Sequence, residues 1–423
     1  MKKQKRFGRF LVILAIASMT MAFTTYGDGE KSPAATEPIK ITMLQPGLEQ
    51  PNMKQATQKQ IAAFEKQNPN IQVELITVGW DQVYDKLVNM FQTKTAPDVI
   101  YTGTRWIVPF ANMKGIIPLN RYFTKEKTGQ YSKALMDSET YKGKIYGVPH
   151  AFSSKALFYR ADWIKEPPKN WNELIQIARK IQKEHPGVYG YGIAGAKHVS
   201  TTDHFFDVLF SLGGEVFDRF GNCILDSAKG VQALKLYADF YRKYKIVPNP
   251  IEYNREQLPV LFKQGKIAMF ECGPWAGRMM GLKPDNTEVP YQMALVPAGS
   301  VQRCILNSDS LVISSSCKYP DAAWRLVDYL TSLELQSEYD RDHGLTPILL
   351  EEAKLPEFKN DPYLGIFIKA VDTGLPQPQP AVWEPFQDII TNAVQKALQG
   401  VDPKAALKEA VKQIKEQGLE PKN

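Results

Sequence analysis

Histidine is the first residue type to test for chemistry. The five histidines stand at 150, 185, 198, 204 and 343. The two nearest, His198 and His204, are six apart, a poor spacing for two ligands on one helix face. The four cysteines, Cys223, Cys272, Cys304 and Cys317, match no zinc spacing. They either pair, in one of three ways, or stay as buried apolar thiols. No G-x-S-x-G, H-E-x-x-H or Walker A run is present. Acidic residues abound, so a glycosidase carboxylate pair stays open, but no spacing singles one out. The expectation is a binding protein with no catalytic residue, no metal and no cofactor.

One stretch suggests recognition. In "GKIAMFECGPWAGRMM", Ile267 to Phe270 reads as a buried strand that ends at Gly273-Pro274, and Trp275 follows at once. An indole on the turn past a strand either packs into the core or offers its flat face to a ligand.

The elements that position such a residue follow from periodicity. "IKITML", "IQVELITV" and "PDVIYTG" read as strands, separated by helical "KQATQKQIAAFEKQNPN" and "DQVYDKLVNMFQTK". That β-α-β-α-β order implies a largely parallel sheet covered by helices, with ligands beyond the C-terminal strand ends. The loops Gln45–Asn52, Gly79–Asp81 and Thr102–Trp106 then open on one rim. A second unit begins near Gly147. There "KALFYRADWI" leads to a helix with Asn170 as N-cap, Glu173 three residues on and a stripe at Leu174, Ile177, Ala178 and Ile181. "HFFDVLFSLG", "AKGVQALKLYADFYRKY" and "REQLPVLFKQG" read as helices, "CILNSDSLVIS" as a strand and "PDAAWRLVDYLTS" as a helix.

A chain of 423 residues implies two domains. Its net charge of +7 is concentrated at the N-terminus, where residues 1–27 carry five basic side chains and no acidic one. Without them 47 basic residues face 45 acidic, so charge gives no argument for nucleic acid as a partner. Those cations precede the 14-residue apolar run Phe10–Phe23, the layout of a secretory signal over 1–27 and too short to span a bilayer. Residues 28–38 read as a flexible tether.

At "PHAFSSKALFYRADWIKE" followed by "PPKNWNEL", the chain resembles the bacterial extracellular solute-binding proteins of the maltose-binding type, which serve ABC importers for sugars. Pro149, Ala151, Ala156, Leu157, Phe158, Tyr159, Ile164 and Glu166 fit the family pattern, while His150 and Arg160 depart from it. Further matches run in order through "FEKQNPNIQVE", "APDVI", "FKQGKIAMFECGPWA" and "ALQGVDPKAALKEAVKQI". A lipobox cysteine is missing, since no cysteine precedes Cys223.

The resemblance implies an α/β, two-lobe, periplasmic-binding-protein-like (type II) fold, each lobe a mostly parallel sheet flanked by helices, joined by a hinge. The first lobe would take 37–148 and 296–332, the second 149–295 and 333–423. The implied activity is capture of a sugar or oligosaccharide between the lobes and delivery to a membrane permease, by an exported monomer. Trp275 is then a stacking residue of the cleft, and Trp383 a second aromatic there. Thr102, Arg105 and Trp106 match a ligand-touching loop. Gln45 and Trp80 sit on the first-lobe rim, as ligand contacts or as exposed and lid residues. Phe152 and Ser153 lie at the first crossing, where a polar ligand contact is common. Asp309 either accepts sugar hydroxyls or caps a turn, and His150 is a hinge hydrogen-bonder rather than a ligand contact, the alternative it also fits. Arg105 and His150 would also suit an anionic solute, such as a glycerol phosphate or a sugar acid.

Overall fold

The computed structural model describes residues 38–48, 51–80 and 82–421. The expected signal and all but Pro38 of the tether lie outside the described residues.

The first β-α-β-α-β run forms as its periodicity predicts. It comprises β1 (Ile39–Pro46), α1 (Pro51–Gln67), β2 (Ile71–Val78), α2 (Val83–Thr93) and β3 (Val99–Gly103). β1 lies between β2 and β3, parallel to both. Alternation sends Ile41 and Met43 into a cluster with Phe64 and Leu326, and Leu44 to the opposite face with Val83, Leu87 and Phe110. β4 (Gly147–Ser153) follows, and after Ser154 and Lys155 the chain enters β5 (Ala156–Arg160).

β5 belongs to a second sheet. It is flanked by β6 (Met269–Cys272) and β7 (Tyr291–Leu295), antiparallel to both. The extended strands here therefore differ from a parallel arrangement, and parallel pairing at this sheet is confined to isolated bridges such as Gly192 with Phe270. β6 starts two residues later than the apolar run suggested. Its helices include α3 (Trp171–Glu184), α4 (Val199–Ser211) and α5 (Ala228–Arg242). Asn170 caps α3 as expected: its Oδ1 accepts from Glu173 N at 3.0 Å.

The chain then returns to the first sheet. β8 (Ile305–Ile313) inserts antiparallel between β3 and β4, with Asp309 opposite both Gly103 and Ala151. α6 (Pro320–Leu330) and α7 (Leu333–His343) cover that sheet. α7 lies on α1, where Gln60 Nε2 donates to Leu335 O at 3.0 Å and Lys59 pairs with Glu338. β9 (Leu375–Pro376) adds parallel to the start of β8, and α8 (Trp383–Leu398) and α9 (Pro403–Glu416) close the chain against α5. All four cysteines are free. Burial pushes the Cys272 and Cys304 thiols up to about 12, so they behave as small apolar side chains.

Candidate functional site

Two walls of aromatic and charged residues meet at β8. The second-sheet wall is built on the turn after β6. A Cβ on Gly273 would stand 2.1 Å from Cζ3 of Trp275, so only glycine lets the indole fold back over its own turn. Tyr363 pins that turn, donating to Pro274 O at 2.6 Å and accepting from Gly277 N at 3.0 Å. Trp275 is half-buried, with Lys155 Nζ 5.0 Å and Arg255 Cζ 5.3 Å from its ring centroid.

The first-sheet wall uses the same device. A Cβ on Gly103 would stand 2.4 Å from Nη1 of Arg105, so the guanidinium folds back over the end of β3. It lies 4.2 Å from the Trp106 ring and 5.7 Å from the half-buried Trp80. Tyr101 Oη donates to Asp309 Oδ2 at 3.1 Å, and Arg105 Nη1 stands 4.0 Å from Asp309 Oδ1. Burial pushes the Asp309 carboxyl up to about 6, against the pull of Arg105.

β8 carries both walls. Asn307 and Asp309 alternate onto one face of the strand. Asp309 serves the first wall; Asn307 accepts from Lys155 Nζ at 2.6 Å and donates to Asp203 Oδ2 at 3.4 Å. Asp203, on α4, also accepts from Arg255 Nη1 and from Gln377 Nε2, each at 3.1 Å. Arg255 Nη2 donates to Glu256 Oε1 at 3.1 Å. A further bond joins the walls directly: Trp106 Nε1 donates to Glu384 Oε1, on α8, at 2.7 Å.

The residues singled out in the sequence divide. Trp80, Arg105, Trp106, Asp309 and Trp275 converge here. Trp383 does not: it is 0% exposed, donates to Gln387 Oε1 at 2.8 Å and packs on Phe386 in the core. The helical turn aims its neighbour Glu384 at the site instead, which corrects the expectation of a cleft aromatic. Gln45 is buried, donating to Tyr339 Oη at 3.1 Å rather than standing on the rim. Thr102 is buried with no hydrogen-bond partner for its hydroxyl. Phe152 is half-buried against the first-sheet core, its carbonyl accepting from Thr346 N at 3.3 Å, and Ser153 pairs with Asn307 along β8. His150 is tied to α7 through Gln336 Oε1 at 2.9 Å; burial lowers its imidazole to about 4, so it is neutral.

Sequence reading missed Lys155, Asp203, Arg255, Asn307, Gln377 and Glu384. A signal existed for one of them. Asp203 and Asp207 lie four apart among Phe205, Phe206 and Leu209 on a helix buried from Ser200 to Ser211, where a carboxylate requires a polar partner. The run Gly190–Gly195 spells G-x-G-x-x-G, but its glycines serve packing. A Cβ on Gly190 would stand 2.3 Å from Ala178 Cα, and one on Gly195 2.7 Å from the Pro250 carbonyl carbon. Among the described residues no cluster of side chains suits a metal ion.

Residues 50–337 match the family described as bacterial extracellular solute-binding protein. The chain belongs to that family. A Brucella abortus (strain 2308) protein named only as a binding protein is 30% identical over 356 residues, covering 82% of this chain and 86% of the relative. The maltose-bound MalE3 of T. maritima has a TM-score of 0.82 at 26% identity, over 90% of this chain and 100% of its own. An ABC transporter solute-binding protein of Thermotoga lettingae TMO, bound with alpha-D-tagatose, has a TM-score of 0.83 at 28% identity, over 89% of this chain and 99% of its own. The solute-binding protein thus has the two-lobe type II fold of the maltose-binding kind.

Proposed function

We propose that this solute-binding protein captures a neutral saccharide between its two walls and delivers it to the membrane permease of an ABC importer, as an exported monomer that performs no chemistry. The observation that carries the reading is the balance of the site. Two half-buried indoles, Trp80 and Trp275, each have a guanidinium beside them, suited to covering the apolar face of a sugar ring. Arg105 is paired with Asp309 and Arg255 with Asp203 and Glu256, while Lys155 is held by the Asn307 amide beside Asp203. Charges already paired still bond hydroxyls but leave no free positive charge for an anion. The neutrality of His150 removes the second cation that an anionic solute would have used.

The lobes of this reading are 37–148 with 296 to about 350, and 149–295 with the remainder. This reading puts the last crossing beyond the expected 333, which the packing of α7 on α1 and the Leu350 N to Gln130 O bond at 2.9 Å support. Export rests on the N-terminal sequence; among the described residues no helix is long and apolar enough to cross a membrane. Glycoside hydrolysis is the rival to exclude, through release of reducing ends.

Calorimetry against maltose, maltotriose, D-tagatose and D-glucose tests the function. Heat and a change in tryptophan emission with one of them is the expected result. Silence with all, beside heat from a sugar phosphate, overturns neutrality.

A further inference from the structure

Asp203 is one of the most enclosed charged groups of the site, at 1% exposure, and it is a hub. Donors reach it from three separate segments: Arg255, Asn307 and Gln377. Asn307 in turn holds Lys155, so the two cations nearest Trp275 are both connected to Asp203, one directly and one through an amide. Lys155 is wholly buried; burial and the neighbouring Arg255 depress its ammonium, which Asp203 and Asp207 partly restore. Arg255 is also buried, and its Nε has no partner in the protein.

Few other negative charges face these cations. Asp207, on the same helix, accepts from Ile305 N at 2.7 Å, and burial together with Glu271 drives its carboxyl well above the usual range. Glu271 is raised to about 7 by burial while accepting from Tyr191 Oη at 2.8 Å. Burial thus works against a full negative charge on either. Glu256 remains ionised: burial opposes it, but Arg255 and His198 hold its carboxyl below the usual value. Arg255 and the depressed Lys155 are therefore offset chiefly by Asp203 and Glu256, with Asp309 acting on both from the first wall. Removing one leaves a net positive charge at low dielectric beside the indole face, and interactions there are far stronger than in water.

We propose that Asp203 sets the charge selectivity of the saccharide site, cancelling the positive field of Lys155 and Arg255 and so favouring neutral sugars over sugars that bear a carboxylate or phosphate. It acts through these cations rather than by touching the ligand, as a charge-compensating residue. Selectivity here is an arrangement against the wrong ligand as much as for the right one. This inference rests on the saccharide-binding reading above.

The test uses matched ligand pairs of like shape, D-glucose against D-glucuronate and D-galactose against D-galacturonate, titrated calorimetrically into the full chain. The unaltered protein is expected to prefer the neutral member. Asp203→Asn keeps the shape of the side chain and should move the ratio of affinities toward the anion by about tenfold or more, equal to roughly 1.4 kcal/mol. Arg255→Gln should move it the opposite way, and the double variant should restore the original ratio. Should Asp203→Asn fail to fold, Arg255→Gln alone decides. Equal loss of both ligands in Asp203→Asn, or an unchanged ratio in Arg255→Gln, overturns the assignment. An unaltered protein that binds neither member of any pair, nor maltose, maltotriose or D-tagatose, overturns the saccharide reading, and the assignment with it.

Discussion

The two walls share a device but differ in how firmly it is set. At Gly103 the missing Cβ makes room for the tip of a flexible arginine; at Gly273 it makes room for a rigid indole ring. The charges differ in the same direction. Arg105 stands 4.0 Å from Asp309, whose side chain is 23% exposed. Arg255 lies 3.1 Å from Asp203, whose side chain is 1% exposed. The first wall is adjustable, its Arg105 guanidinium held to Asp309 only at 4.0 Å. The second is fixed by buried bonds before any ligand arrives. A binding protein gains affinity by preorganising one surface and keeps adaptability in the other.

Arg255→Ala should break the fixed wall and have the largest effect. It strands Asp203 as a buried unpaired charge, a loss of ~3–5 kcal/mol in folding stability, read by denaturant unfolding. Arg105→Ala should cost under ~1 kcal/mol of stability, as loose pairs do, while still weakening ligand binding. Equal stability losses would erase the distinction between the walls. Trp275→Ala should weaken saccharide binding by ~1–3 kcal/mol, the scale of a buried aromatic contact. Gly273→Ala should approach that loss because the ring must leave, whereas Gly103→Ala should cost less because an arginine tip swings aside. Calorimetric affinities that rank these two glycines in reverse order would refute the comparison.

The smallest expected effect is a pH dependence confined to the first wall. With its carboxyl near 6, Asp309 gains a proton as pH falls from 7 to 5 and accepts fewer hydroxyl bonds, so affinity should drop. Asp309→Asn should flatten that profile. Protonation of this group does not itself destabilise the fold. Its folded value is raised, so between the ordinary value and about 6 the native state holds more protons than the unfolded chain. Stability from Asp309 therefore rises as pH falls through that window. An affinity that stays constant in the unaltered protein would show that the carboxylate does not meet ligand.

The same contrast explains what was legible in the sequence. The first wall sits at the ends of β1, β2 and β3, where period-two alternation and the parallel-sheet rule locate a rim without coordinates; Trp80, Arg105 and Trp106 follow from that. The Gly-Pro turn after an apolar run places Trp275 at a strand end but leaves core and ligand face open, and the family resemblance alone points it toward the cleft. The charged layer behind Trp275 was not. Lys155, Asp203, Arg255, Asn307 and Gln377 come from five segments that only tertiary packing unites, and all but Asp203 are single polar residues with no local pattern. Trp383 misled because helical geometry turns a side chain by about 100° per residue, so its neighbour Glu384 faces the site while the indole faces the core. Two strands of the second sheet, β5 and β6, were placed and β7 was not, and their antiparallel pairing is set by long connections that carry no periodic signal.

β8 has a further consequence. Asn307, which belongs to one wall, and Asp309, which belongs to the other, are two residues apart on a single extended strand, so their Cα atoms are separated by about 6.7 Å. That spacing is a property of the backbone and does not change with the angle between the lobes. The strand thus acts as a fixed gauge at the floor of a variable gap, and a molecule that engages both polar anchors is measured against it before the gap shuts.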